Sequence, residues 1–211
     1  MGNIFLIRHP EIVNHKARRF YGWTDIGLSQ IGLDQATRLI SRLSREKISL
    51  VYSSDLYRAH YPASLLAQSL NISHISLCSL REIHFGRWEG LTYEEIEKAD
   101  PDLCRRWMNL ADDFRFPDGE SIAEFSHRIL QGYEAIIRSA AAQGKNIAVI
   151  THGGVIRTLL GQIVRSDLSK GEILLQLDFA SISTLQYDES QPEAEPPFRL
   201  IAVNEVSHLS S

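Results

Sequence analysis

Asn146-Ile147-Ala148-Val149-Ile150-Thr151-His152-Gly153-Gly154 is the stretch that decides the fold. Its first half is a short, apolar run of the kind that forms a strand buried on both faces. The glycine pair ends the run, and Val155, Ile156, Leu159 and Leu160 follow at helical spacing. A buried strand feeding a helix is half of a βα unit, and the pattern recurs upstream. Asn3-Ile4-Phe5-Leu6-Ile7 and Ile48-Ser49-Leu50-Val51-Tyr52 read as two more buried strands. Between them, Ala36, Leu39, Ile40 and Leu43 mark one face of a helix beginning near Ser29. Ala63, Leu66, Ala67 and Leu70 mark another.

Ser121 with Glu124 forms a capping box, and Ile122, Phe125, Ile129 and Ile136 lay down the stripe of a helix that Gly144 ends. Strands alternating with helices predict an α/β fold: a three-layer α/β/α sandwich, mainly parallel, with helices on both faces. After Asp178 the pattern changes. Ile182, Thr184 and Gln186-Tyr187 read as a strand, Glu189 to Pro197 as an acidic, proline-rich turn, and Phe198 to Val203 as the returning strand of a C-terminal hairpin. Residues 1–211 form one domain on this reading. The less regular segment 80–119, which holds Trp88 and Trp107, is a candidate lid or insertion over a strand end, where α/β folds place ligands.

Composition sets the outer bounds. A chain of 211 residues with 44% apolar and 23% charged residues is ordinary for a soluble globular protein. It buries roughly 70–75% of its unfolded surface, so no metal or disulfide staple is required. A net charge of −4 offers no electrostatic reason to bind nucleic acid or an anionic membrane. Cys78 and Cys104 lack metal or redox spacing and read as reduced, largely buried thiols. No signal peptide or membrane span is evident, Leu6 argues against myristoylation at Gly2, and a cytoplasmic location is expected.

The chemistry gathers where strands end. Arg8-His9 follows the first strand; arginine forks onto phosphate oxygens and a neutral imidazole is a nucleophile, although the dipeptide alone is a weak signal. Thr151-His152-Gly153-Gly154 opens a helix, whose free amides favour an anion, and places His152 in the same topological position as His9. Arg58 follows the second strand in Ser53-Ser54-Asp55-Leu56-Tyr57-Arg58. Together these residues suit a phosphoryl dianion held from several sides. Glu82 is the natural proton donor beside such a cationic pocket, with Glu89 and Glu11 as lesser candidates. The 8 histidines show no metal-ligand spacing, so no metal and no cofactor is expected; His15, His60, His74, His127 and His208 read as surface or edge residues.

These residues carry a resemblance to the histidine phosphatase superfamily, the phosphoglycerate mutase-like fold. The matching segments are Leu6-Ile7-Arg8-His9, Gly22-Trp23-Thr24-Asp25-Ile26-Gly27-Leu28-Ser29, Ser53-Ser54-Asp55-Leu56-Tyr57-Arg58-Ala59, Leu80-Arg81-Glu82, Phe85-Gly86-Arg87-Trp88-Glu89-Gly90, Gly119-Glu120-Ser121 and Thr151-His152-Gly153-Gly154-Val155-Ile156-Arg157. They stand in family order over nearly the whole chain. The resemblance implies that His9 attacks phosphorus and becomes phosphohistidine while Glu82 protonates the leaving oxygen. Water, deprotonated by Glu82, then hydrolyses the intermediate, with Arg8, Arg58, His152 and Gly153 on the phosphoryl oxygens.

The chain also departs from the family pattern. Pro10 replaces the usual glycine and biases His9 toward extended backbone. His15 stands where asparagine is common, with Asn14 one place early, so either is a substrate contact; Tyr21 and Gly22 are others. Pro62 stands where a helix would follow Arg58 and predicts a kink or tight turn between Asp55 and Tyr61. The compact length favours a phosphatase over a mutase. Tyr21-Gly22 and Arg-His-Pro resemble some α-ribazole-phosphate phosphatases, and a broad-specificity sugar phosphatase fits equally. A phosphoglycerate mutase-type phosphoryl transfer and a non-catalytic binding protein on the same fold stay open. The expected partner is a small-molecule phosphate ester, and a homodimer stays open.

Overall fold

The computed structural model describes residues 2–109, 114–164, 175–187 and 198–210. Six strands form one sheet: β1 (Asn3–Arg8), β2 (Ile48–Ser54), β3 (Ser73–Leu77), β4 (Asn146–Thr151), β5 (Ile182–Tyr187) and β6 (Phe198–Glu205), in the order β3-β2-β4-β1-β5-β6. β3, β2, β4 and β1 run parallel; β5 and β6 are antiparallel and close one edge. The sequence calls for the hairpin. Its proposed Glu189–Pro197 turn lies outside the described residues.

Alternation along the central strands splits the interior into two cores. Phe5 and Ile7 of β1, with Ala148 and Ile150 of β4, face α1 (Gln30–Leu43) and α2 (Tyr57–Leu70). Ile4 and Leu6, with Ile147 and Val149, face α5 (Ile122–Gln143) and α6 (Gly153–Val164). A parallel strand between two helical layers is apolar on both faces, which is why these strands read as unbroken hydrophobic runs.

The segment 80–119 carries α3 (Tyr93–Ala99) and α4 (Pro101–Met108), each with a side-chain N-cap, from Thr92 and Asp100. Trp88, Ile96, Cys104, Phe114 and Phe116 of this segment are buried in the α5–α6 core. Edge-to-face contacts order the aromatic side chains, with Phe114 and Phe116 rings 5.0 Å apart at 90°.

The structure corrects several expectations. Pro62 does not break its helix: α2 is α-helical from Tyr57 to Leu70 with Pro62 inside. Burying Ala59, Ala63, Leu66 and Ala67 outweighs the roughly 3 kcal/mol cost of an internal proline. β3 went unrecognised because Ser73-His74-Ile75-Ser76-Leu77 is a polar edge strand with no fully buried residue. Cys78, just beyond that edge, is exposed rather than buried, whereas Cys104 is buried; both are free. His208 is not a surface residue, its side chain being 4% exposed where the turn Ser207–Leu209 packs on α1.

Register brings the signature residues together. β1 and β4 pair Arg8 with Thr151, so His9 and His152 emerge side by side from adjacent strands. If Pro62 is held by packing alone, Pro62→Ala restores an N–H for the Arg58 carbonyl and raises stability by about 1 kcal/mol, the proline cost less the lost burial. Urea unfolding monitored by tryptophan fluorescence measures it; a lower midpoint contradicts this account of the helix.

Candidate active site

The strand ends open into a cavity of about 290 Å³. Arg8, His9, Arg58, Glu82 and Gly153 line it, as do His15 and Tyr21. His152 lies behind them, 0% exposed, its ring centroid 5.3 Å from that of His9. Asn14 and Gly22 do not line the cavity. Asn14 is exposed and turns the chain at φ 56°, whereas the Gly22 carbonyl accepts from Arg58. Glu11 and Glu89 are outside the lining too, each committed to a structural role.

His9 continues the sheet's bonding: its N–H donates to the Thr151 carbonyl and its carbonyl accepts from the Ala180 N–H. Its Nδ1 lies 2.8 Å from the Pro10 carbonyl. A carbonyl only accepts, so the proton resides on Nδ1 and the lone pair on Nε2. Pro10, which lacks an N–H, thus contributes an acceptor that selects the tautomer. His152 is bonded in the opposite sense. The Arg58 Nε–H donates to its Nδ1 at 3.2 Å, which puts the His152 proton on Nε2, a buried atom with no partner among the described residues.

Arg58 is the most deeply buried cation among the described residues, 1% exposed at the second position of α2. Its terminal nitrogens donate to the carbonyls of Tyr21, Gly22 and Thr24 at 3.2, 2.6 and 2.9 Å. Glu89 holds that loop in place. Its carboxylate accepts from the N–H groups of Gly22, Trp23, Thr24 and Phe85 and from the Thr24 hydroxyl. Asp25, at the loop's end, caps α2 through the Tyr57 N–H at 2.7 Å. Gly22 is obligatory here, because a Cβ would lie 1.9 Å from the Ile83 carbonyl.

Arg8 stacks on Phe179, its guanidinium carbon 4.1 Å from the ring centroid, and donates to the Leu177 carbonyl. Glu82 is held at the start of α6: Oε2 accepts from the Gly154 N–H at 2.9 Å and Oε1 from the Ile83 N–H at 3.0 Å. A carboxylate at a helix N-terminus is favoured by the helix dipole. A Cβ on Gly154 would come 2.2 Å from Glu82 Oε1, so the second glycine of the pair makes room for this carboxylate. Behind Glu82, its own carbonyl accepts from Trp23 Nε1 and from Arg128. Arg128 also holds the carbonyls of Ser79 and Arg81 and pairs with Glu120.

Electrostatics keep both histidines neutral. Burial, then the charges of Arg58 and Arg8, hold His9 well below the ordinary imidazole value; burial, then Arg58 and His9, do the same for His152. Burial pushes Arg58 down to about 10, still charged at neutral pH. The site therefore presents a lone pair on one imidazole, an N–H on the other, fixed cations and a carboxylate. Arg18, Arg19, Phe20, Arg157 and Phe179 also line the cavity and were missed in the sequence. Arg157 lies within a segment already singled out, and its helical position four residues after Gly153 was the available signal. Among the described residues no group of three or more His, Cys, Asp or Glu is placed to hold a metal.

The family profile of the histidine phosphatase superfamily (branch 1) matches residues 4–196. Phosphoglycerate mutase-like protein 4 of Arabidopsis thaliana is 36% identical over 159 residues, covering 74% of this chain and 68% of that one. Phosphoserine phosphatase 1 of Hydrogenobacter thermophilus is 31% identical over 170 residues, 81% of this chain and 80% of its own. The structure of an Entamoeba histolytica phosphoserine phosphatase in complex with 3-phosphoglyceric acid superposes with a TM-score of 0.82 at 25% identity, covering 99% of this chain and 100% of that one.

Nitrogen-15 NMR of the imidazoles tests the two tautomers. The expected spectrum shows Nδ1–H on His9, Nε2–H on His152, and no protonation of either as pH falls through about 6.5, where a free imidazole is half-protonated. The unfolded chain takes up these protons first, so stability is complete above that pH and declines below it. Matching tautomers, or titration of either ring near 6.5, contradict the assignment.

Proposed function

The chain belongs to the histidine phosphatase superfamily, and from that premise we propose that it hydrolyses small phosphate monoesters through a phosphohistidine formed on His9. The observation that carries the reading is the opposed pair of neutral tautomers beside the buried Arg58 and the half-buried Arg8. It supplies a nucleophile and a hydrogen-bond donor from two residues of the same type.

In the proposed first step, with Glu82 in its protonated form, the His9 Nε2 lone pair attacks phosphorus in line, the P–O bond to the alcohol breaks, and Glu82 gives its proton to the leaving oxygen. Arg8, Arg58, the His152 Nε2–H and the backbone at Gly153 bind the phosphoryl oxygens, most tightly as charge builds in the transition state. In the second step Glu82 takes a proton from water, the water oxygen bonds to phosphorus, and the P–N bond breaks. Phosphate leaves, and His9 and Glu82 regain their starting states. His9 needs no deprotonation, since burial already holds it neutral.

Segment 80–119 serves in this reading as the cover that carries Glu82 to the strand ends, within a single domain. Substrate candidates are phosphoserine, by likeness to the phosphoserine phosphatases, and α-ribazole 5′-phosphate, by the Arg8-His9-Pro10 and Tyr21-Gly22 resemblance. Mutase chemistry shares the pocket and is separated by asking whether 3-phosphoglycerate with a bisphosphoglycerate primer yields 2-phosphoglycerate.

Hydrolysis of p-nitrophenyl phosphate without added metal tests the enzyme reading. His9→Ala is expected to lose activity by at least about 10³-fold, and Glu82→Gln by about 10²-fold or more on alkyl esters. The Glu82→Gln loss is smaller on p-nitrophenyl phosphate, whose leaving group needs no proton, as long as phosphoryl transfer to His9 limits the rate. An inactive wild type, or a His9→Ala variant of full activity, overturns the reading.

A further inference from the structure

We propose that Arg18, on the rim of the cavity, reads a second anionic group on the substrate, so that phosphate esters of small organic acids are preferred over esters of neutral or cationic alcohols. This rests on the phosphatase reading above and adds a substrate class to it.

The argument begins with charge. The cavity is lined by five arginines, Arg8, Arg18, Arg19, Arg58 and Arg157, against Glu82 as the one carboxylate among its lining residues. The chain as a whole is acidic, with a net charge of −4, so the excess is local. Arg8 and Arg58 face the phosphoryl group in the proposed reaction. Arg157 belongs to that same end: its Nη1 and the Arg8 Nε flank Gly153, 3.4 and 3.6 Å from where a Cβ there would sit. Arg19 is occupied, donating to Glu95 at 2.7 Å and to the Gly90 carbonyl at 2.6 Å.

Arg18 differs from all of these. It follows the short turn His15–Ala17 in left-handed backbone, φ 49° and ψ 41°, its N–H donating to the His15 carbonyl. That conformation costs a non-glycine residue on the order of 1 kcal/mol, and glycine would adopt it without strain. An exposed arginine that lines a pocket is a candidate for direct recognition. The exposed Glu94 shares its field. A second anion on the substrate would match this remaining charge. The lining also includes the apolar side chains of Ile12, Phe20 and Phe179, which suit the carbon chain that would join the two anionic groups.

The test uses pairs of esters that differ in the second charge: phosphoserine against phosphoethanolamine, and 3-phosphoglycerate against glycerol 3-phosphate. The wild-type kcat/KM is expected to favour the acidic member of each pair by about tenfold or more, the scale of one charge-assisted hydrogen bond. Arg18→Ala should cut that ratio about tenfold, chiefly through KM, Arg18→Lys should restore part of it, and the exposed control Arg105→Ala should leave it alone. Calorimetric affinities of the same pairs for His9→Ala give a second readout that needs no turnover. A wild-type ratio near one, or a ratio that Arg18→Ala leaves unchanged, overturns the proposal. A wild type inactive on p-nitrophenyl phosphate overturns the phosphatase reading instead, and the calorimetric ratios then decide Arg18 alone.

Discussion

The site depends on one buried guanidinium. A charge as enclosed as that of Arg58 is costly to bury unless its N–H groups are met, and here four of the five are met, by the carbonyls of Tyr21, Gly22 and Thr24 and by His152 Nδ1. Each partner is thereby fixed as well. The loop that offers the carbonyls is pinned by Glu89, the helix that carries Arg58 is capped by Asp25, and the imidazole that accepts from Nε is left with its proton on the opposite nitrogen. The same charge acts through space on both histidines and adds to burial in keeping them neutral.

The two histidines show how environment divides labour between identical side chains. Both stand one residue beyond the end of a parallel strand, in register, and both are buried. What differs is the partner of Nδ1: a carbonyl for His9, an N–H for His152. A carbonyl demands a proton and an N–H forbids one, so one ring exposes a lone pair at Nε2 and the other a donor. Pro10 is compatible with this arrangement because its carbonyl is the group required.

Glu82 is supported from another direction. Its carboxylate rests on the first turn of α6, while Arg128 of α5 gathers the carbonyls of Ser79, Arg81 and Glu82 and is itself paired with Glu120. Trp23, on the loop that serves Arg58, donates to the same Glu82 carbonyl. Glu82 and Arg58 are therefore linked through one loop, which couples the position of the one to that of the other.

The βα repeat, the helical stripes and the strand-end residues were legible in the sequence because burial leaves a local, periodic imprint. Ile4 to Ile7 and Ile147 to Ile150 had to be apolar on both faces, and Ser121 and Glu124 had to cap a helix, whatever the rest of the chain did. Polar β3 and the uninterrupted α2 were not legible, because an edge strand needs no apolar run and packing can override a proline. Residue types also named His9, His152, Arg58 and Glu82, but not the state of any of them. Only the tertiary structure decided which imidazole nitrogen carries the proton, where the buried guanidinium finds its acceptors, and that Arg18, Arg19 and Arg157 share one cavity. Apart from the contact of His9 with its neighbour Pro10, those properties arise from hydrogen bonds and charges between residues dozens to more than a hundred positions apart, whose pairing no local pattern encodes.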